Sequence, residues 1–175
     1  MATNSKFPLL VPGWAGVLGV MMGWGAHARA ESPPPNVPLT EVERSAVFKA
    51  AGAVQRKGMW LICADEPNPS GAVIESVRDL NGDGLPEAVV TEGGTYCYGH
   101  AETGYQVLSK QADGRWRVIS GGSGMPQFLK TRGKGGWPDI SIGGPGFCFP
   151  VERWDGKEYK LNRFEYEGKR CKPPR

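Results

Sequence analysis

Hydrophobic positions change their period once along this chain. Val47, Ala50, Ala51 and Val54 recur at intervals of three and four residues, one side of an α-helix. Thr40, with Glu43 three residues on, is a capping box at its start, and the alanine-rich run to Ala51 has good helix propensity. The pattern predicts a helix over 40–51, ended by Gly52 or Gly58. From Met59 onward short apolar or alternating runs are bounded by turn formers, the pattern of strands. Predicted strands are 59–63, 73–79, 87–91, 95–98, 105–110, 116–120, 127–130, 139–142, 147–153 and 158–166. Asp113-Gly114 and Asp155-Gly156 fall between strand-like runs as hairpin dipeptides. The chain reads as mainly β with one N-terminal α-helix.

The strand region repeats. Leu85-Pro86-Glu87-Ala88-Val89-Val90 matches Trp137-Pro138-Asp139-Ile140-Ser141-Ile142, and Tyr96-Cys97-Tyr98 matches Phe147-Cys148-Phe149. Asp113-Gly114-Arg115-Trp116-Arg117-Val118 then matches the run from Asp155 to Leu161 with one insertion. The matches keep their order, which places repeat 1 at about 73–120 and repeat 2 at about 127–166.

Composition narrows the class. Glycine (26) and proline (15) among 175 residues break up long helices and follow no collagen-like period. Residues 1–30 read as a secretory signal: Lys6, then an uncharged and mostly apolar stretch from Phe7 to Ala26, then Ala28-Arg29-Ala30 before Glu31. The alternative is a retained anchor, since 20 uncharged residues can span a bilayer. Pro8, Pro12 and the cleavage signature favour removal, with no stable membrane insertion afterwards. Residues 31–38 form a proline-rich linker, extended and mobile, and 39–175 form a single β-rich domain. The whole chain carries +3. Loss of the leader removes Lys6 and Arg29 and no acid, which leaves a nearly neutral chain and no case for a nucleic-acid partner.

Asp79-Leu80-Asn81-Gly82-Asp83-Gly84-Leu85-Pro86-Glu87 is the most specific motif, D-x-N-x-D-G-x-x-E. Oxygens from Asp79, Asn81, Asp83 and Glu87, with the Leu85 carbonyl, can converge around a hard cation, and this set suits Ca²⁺ better than Mg²⁺. An EF-hand needs a bidentate carboxylate at loop position 12, where this chain has Val90, and flanking helices, where it has strands. The loop resembles instead the calcium loop of FG-GAP repeats, as in integrin alpha-chain propellers, where it runs straight into a hydrophobic strand, here Ala88-Val89-Val90. The chain also looks like small secreted bacterial proteins built around such a loop. The resemblance implies a structural rather than catalytic Ca²⁺ and two blade-like repeats in a compact β-domain. Two repeats cannot close a propeller of about four to eight blades. The second repeat has Thr131, Gly133 and Gly135 where the first has Asp79, Asn81 and Asp83, so no ion is expected there; only Asp139 remains, aligned with Glu87.

The four cysteines, Cys63, Cys97, Cys148 and Cys171, read as two disulfides in an exported chain. Cys63–Cys97 with Cys148–Cys171 is favoured, each joining a repeat's central strand to a flanking segment; Cys97–Cys148 is the rival. His100 is the one histidine after the leader and lies in a polar loop without a nucleophile elbow. Asp139, Glu152 and Asp155 are the carboxylates that could form an acid pair. Trp137, between a glycine-rich loop and Pro138, is the aromatic expected to be exposed for ligand contact. Lys130, Arg132 and Lys134 form one basic cluster, and Lys169, Arg170, Lys172 and Arg175 another.

These features lead to a periplasmic or secreted, non-enzymatic binding module stabilised by calcium, with a protein or glycan of the cell envelope as partner. A small envelope hydrolase using His100 or a carboxylate pair, and a purely structural envelope protein, are the alternatives.

Overall fold

The computed structural model describes residues 35–173, so the leader over 1–30 lies outside the described residues. Helix α1 (Glu41–Ala50) starts at the predicted capping box: the Thr40 hydroxyl accepts the Glu43 N–H at 3.3 Å, and the Glu43 carboxylate accepts the Thr40 N–H at 3.0 Å. It ends at Gly52, not Gly58. The Gly52 N–H donates to the Lys49 carbonyl and the Ala53 N–H to the Phe48 carbonyl, the paired bonds of a Schellman turn. Val47, Phe48 and Ala51 are buried. Val54 is exposed, because the chain has already entered strand β1 (Val54–Arg56), paired with β2 (Met59–Leu61).

The remaining strands build two antiparallel meanders. The first sheet has the order β3-β4-β5-β6: Val73–Arg78, Glu87–Gly93, Thr103–Lys110 and Trp116–Ser123. The second runs β7 (Met125–Arg132), β8 (Pro138–Gly143), β9 (Phe149–Trp154) and β10 (Tyr159–Tyr166), with β11 (Lys169–Arg170) at its far edge. The fold is mainly β, without a closed barrel among the described residues.

Two expectations need correction. Thr95–Tyr98, predicted as a strand, is the short helical turn α2. Its alternating Thr-Tyr-Cys-Tyr pattern suits a strand, but three tertiary bonds hold it back. Cys97 is bonded to Cys63, Glu66 accepts the Tyr96 N–H at 3.1 Å, and the Tyr98 hydroxyl donates to Glu92 at 2.7 Å. The linker is also tied down where it is described. Asn36 Oδ1 accepts the Val77 N–H at 3.2 Å, and the Val37 N–H donates to the Val77 carbonyl at 2.7 Å, so the segment lies along the free edge of β3.

Alternation along the first sheet gives it two apolar faces. Ala88, Val90, Leu108 and Trp116 meet α1 in one cluster. Tyr105, Val107 and Ile119 face the other way and meet Trp137, Ile140, Ile142 and Trp154 of the second sheet. The layers are therefore helix, sheet and sheet. Trp137 is only 9% exposed, which corrects its expected role as an exposed ligand contact. Its indole lies 5.1 Å from Trp154 and edge-on to Tyr159, centroid to centroid 6.3 Å. Pro138 and the glycine-rich loop turn the chain at this point, and the inter-sheet space takes the ring.

Trp137→Ala should therefore destabilise the domain by about 3–5 kcal/mol. Urea unfolding should show a lower midpoint at an unchanged slope; a stability within experimental error of wild type would place the indole outside the core.

Candidate functional site

Residues 79–87 connect β3 to β4 as a ladder of side-chain-to-backbone bonds. Asp79 accepts the Gly82 N–H on Oδ1 at 2.7 Å and the Gly84 N–H on Oδ2 at 2.8 Å. Asn81 Oδ1 accepts the Asp83 N–H at 2.9 Å, Asp83 Oδ1 accepts the Leu85 N–H at 2.8 Å, and Asn81 Nδ2 donates to Asp83 Oδ2 at 2.9 Å. The bonds that Asn81 and Asp83 accept, each from the N–H two residues on, are Asx turns, local substitutes for a backbone turn. Gly84 has φ +85, a conformation that disfavours a side chain, so the turn that carries its N–H to Asp79 Oδ2 favours glycine.

Glu87 closes the loop from the strand side. It is the first residue of β4 and 1% exposed; Oε2 accepts the Leu80 N–H at 2.8 Å and Oε1 accepts the Ser109 hydroxyl at 3.0 Å. Burial pushes its carboxyl up to about 7, against those two hydrogen bonds, and the charges of Asp83 and Asp79 push in the same direction as burial.

The donor set is all oxygen and carries three carboxylates. A carboxylate offers about four acceptor positions, and Asp79 uses two, so capacity for a hard cation remains. The side chains are not drawn together around a point. Among the described residues, no group of three or more His, Cys, Asp or Glu is gathered closely enough to hold a metal ion. The residues fit calcium by chemistry, and coordination requires Asp79, Asp83 and Glu87 to close in on one another.

The loop rests on the second sheet. Arg132 Nη1 donates to the Leu80 carbonyl at 3.0 Å and also to the Gly136 carbonyl. Gly136 has φ +78, and a Cβ there would stand 2.6 Å from the Asn81 carbonyl oxygen, so only glycine permits this approach.

The aligned position of the second meander solves its electrostatics differently. Asp139, fully buried on β8, accepts Arg153 Nε and Nη2, both at 2.8 Å, and Arg163 Nη1 at 2.7 Å. Thr131, at the position of Asp79, donates its hydroxyl to Asp139 at 2.6 Å. Burial alone would raise the Asp139 carboxyl; the hydrogen bonds from Arg153, Thr131 and Arg163 outweigh it and hold the group well below the usual carboxylate range. The sequence reading missed both arginines. The signal available was a lone acid left where its acidic partners had been replaced.

The other candidates fall elsewhere. His100 is exposed on a turn. Glu152 accepts the Ser120 hydroxyl at 3.0 Å, and Asp155 caps its own turn and pairs with Lys160 at 2.9 Å. The structure pairs Cys63 with Cys97 and Cys148 with Cys171, at Cα separations of 6.2 and 5.7 Å. Buried Glu92, not singled out in the sequence, accepts the N–H groups of Ile62 and Cys63 and the Tyr98 hydroxyl, which seats the first disulfide on β4.

No family model, curated protein or solved structure matches the chain.

Asp139→Asn should cost about 3 kcal/mol at pH 7, because it removes the buried charge that binds Arg153 and Arg163, although Glu165 remains a partner for Arg163. Since the folded state depresses this carboxyl, its stabilisation is present above the unfolded value near 4 and lost as pH falls below it. Unfolding of both proteins across pH should show a gap that is constant near neutrality and closes in acid; equal stability at pH 7 would remove the ion pairs from the fold's energetics.

Proposed function

We propose that this chain is an exported, calcium-stabilised binding module of the cell envelope, built from two blade-like repeats of the FG-GAP type. The observation that carries the reading is the loop 79–87, with its oxygen-only side chains and its exit into β4. Five of the seven residues of β4 are buried, Ala88, Val89 and Val90 with the acids Glu87 and Glu92, so a cation held at its first residue would pin a strand that carries part of the core under α1. The ion's role in this reading is structural.

The two successive meanders, with β4 and β8 in equivalent places, support the repeat reading. Two disulfides suit an oxidising compartment. Among the described residues no helix is long and apolar enough to cross a membrane, which is compatible with release after export. The partner is a protein or glycan of the envelope.

Thermal unfolding of the oxidised mature protein in calcium and in chelator tests the reading. A ligand at 100 times its Kd adds about 2.7 kcal/mol, so the midpoint should rise by roughly 5–10 °C in saturating calcium. The rise should vanish in Asp79→Asn and Asp83→Asn. A folded wild-type protein whose midpoint ignores calcium would reduce the loop to a turn.

A further inference from the structure

A shallow cleft of about 500 Å³ opens beside the loop on the second sheet, lined by Arg132, Lys134, Arg153, Asp155, Lys160 and Leu161. Its cations are not equally neutralised. Arg153 is bound to Asp139, and Lys160 to Asp155 and Glu158. Arg132 and Lys134 have no carboxylate within ion-pair distance among the described residues; Arg132 gives one nitrogen to two carbonyls. Lys134 lies across the turn at Gly156, where a Cβ would stand 3.2 Å from its Cδ and 4.0 Å from its ammonium.

The backbone is irregular at the same place. The β9–β10 ladder slips between Leu161 and Arg163, leaving Asn162 unpaired in the cleft, and the β7–β8 ladder slips between Phe128 and Arg132. Bulges re-aim side chains, and here two of them border one depression. The volume falls in the range of small-molecule sites, about 300–1,000 Å³, and is far more than an inorganic anion fills. Leu161, 57% exposed, supplies an apolar wall, and Asn162, whose Oδ1 accepts Arg163 Nη1 at 3.0 Å, offers its Nδ2 to ligand oxygens.

We propose that this cleft binds an anionic saccharide, its carboxylate or phosphate received by Arg132 and Lys134 and its ring laid against Leu161 and Asn162. The inference names a ligand class for the binding-module reading but does not need the calcium loop to be occupied.

Backbone-amide NMR of the mature oxidised protein, titrated with trigalacturonate, maltotriose or inorganic phosphate, in calcium and again in chelator, tests it. Trigalacturonate should shift the amides of Gly133, Lys134 and Asn162 saturably, maltotriose should not, and phosphate should act only weakly on the same residues. Lys134→Glu, an exposed substitution, should weaken trigalacturonate binding roughly tenfold, and Lys169→Glu on the far edge should leave it unchanged. Retained binding in chelator would separate this site from the calcium reading; binding that requires calcium would overturn its independence. Equal shifts with maltotriose, saturation by phosphate alone, shifts spread over all basic surfaces, or unaltered affinity in Lys134→Glu would each overturn the proposal.

Discussion

The first sheet must be covered on both faces. Strand β4 carries Ala88 and Val90 toward one side and Glu87 and Val89 toward the other, and β5 carries Leu108 one way and Tyr105 and Val107 the other. One face takes α1; the other takes the second meander, through an aromatic wedge of Trp137, Trp154 and Tyr159. Neither cover is large. A ten-residue helix is marginal alone, and a sheet with one apolar face is stable only when packed on something. Each layer therefore depends on the middle one.

Glu87 and Asp139 are two answers to one electrostatic problem. Both are acids buried at the start of the second strand of a meander. A buried carboxylate is costly unless it is hydrogen-bonded or paired. Asp139 has two internal guanidinium partners, and its loop has dispensed with acidic residues. Glu87 has only neutral donors, and its loop keeps two more acids. The charge that Arg153 and Arg163 supply in the second meander has no side-chain counterpart in the first, and this asymmetry is the physical argument for the proposed cation in loop 79–87.

Periodicity and turn chemistry made much of this legible. Thr40 and Glu43 announced the helix start because capping is a local interaction, and the succession of short strands followed from runs separated by Asp-Gly and glycine-rich turns. The loop's residues could be named because its bonds span at most eight positions. Failures came where distant residues decide. Tyr96-Cys97-Tyr98 alternates like its partner Phe147-Cys148-Phe149, yet bonds to Cys63, Glu66 and Glu92 wind it into a turn. Trp137 looked exposed from its glycine neighbours, but a ring's burial is set by the sheet opposite. The pairing of Asp139 with Arg153 and Arg163 crosses three strands, and no local spacing encodes it.

Arg132 touches the loop and lines the cleft as well. Its guanidinium, on the last residue of β7, is bonded to the carbonyl of Leu80 in the loop and to that of Gly136 in the turn that precedes Trp137. Gly136 in turn lies against the Asn81 backbone so closely that no side chain fits. The same residue also walls the cleft. Leu80 and Asn81, which lie between Asp79 and Asp83 in the chain, are the residues whose backbone meets Arg132 and the 134–136 turn. The position of one of the cleft's two uncompensated cations is thus tied, through a single guanidinium, to the conformation of the loop.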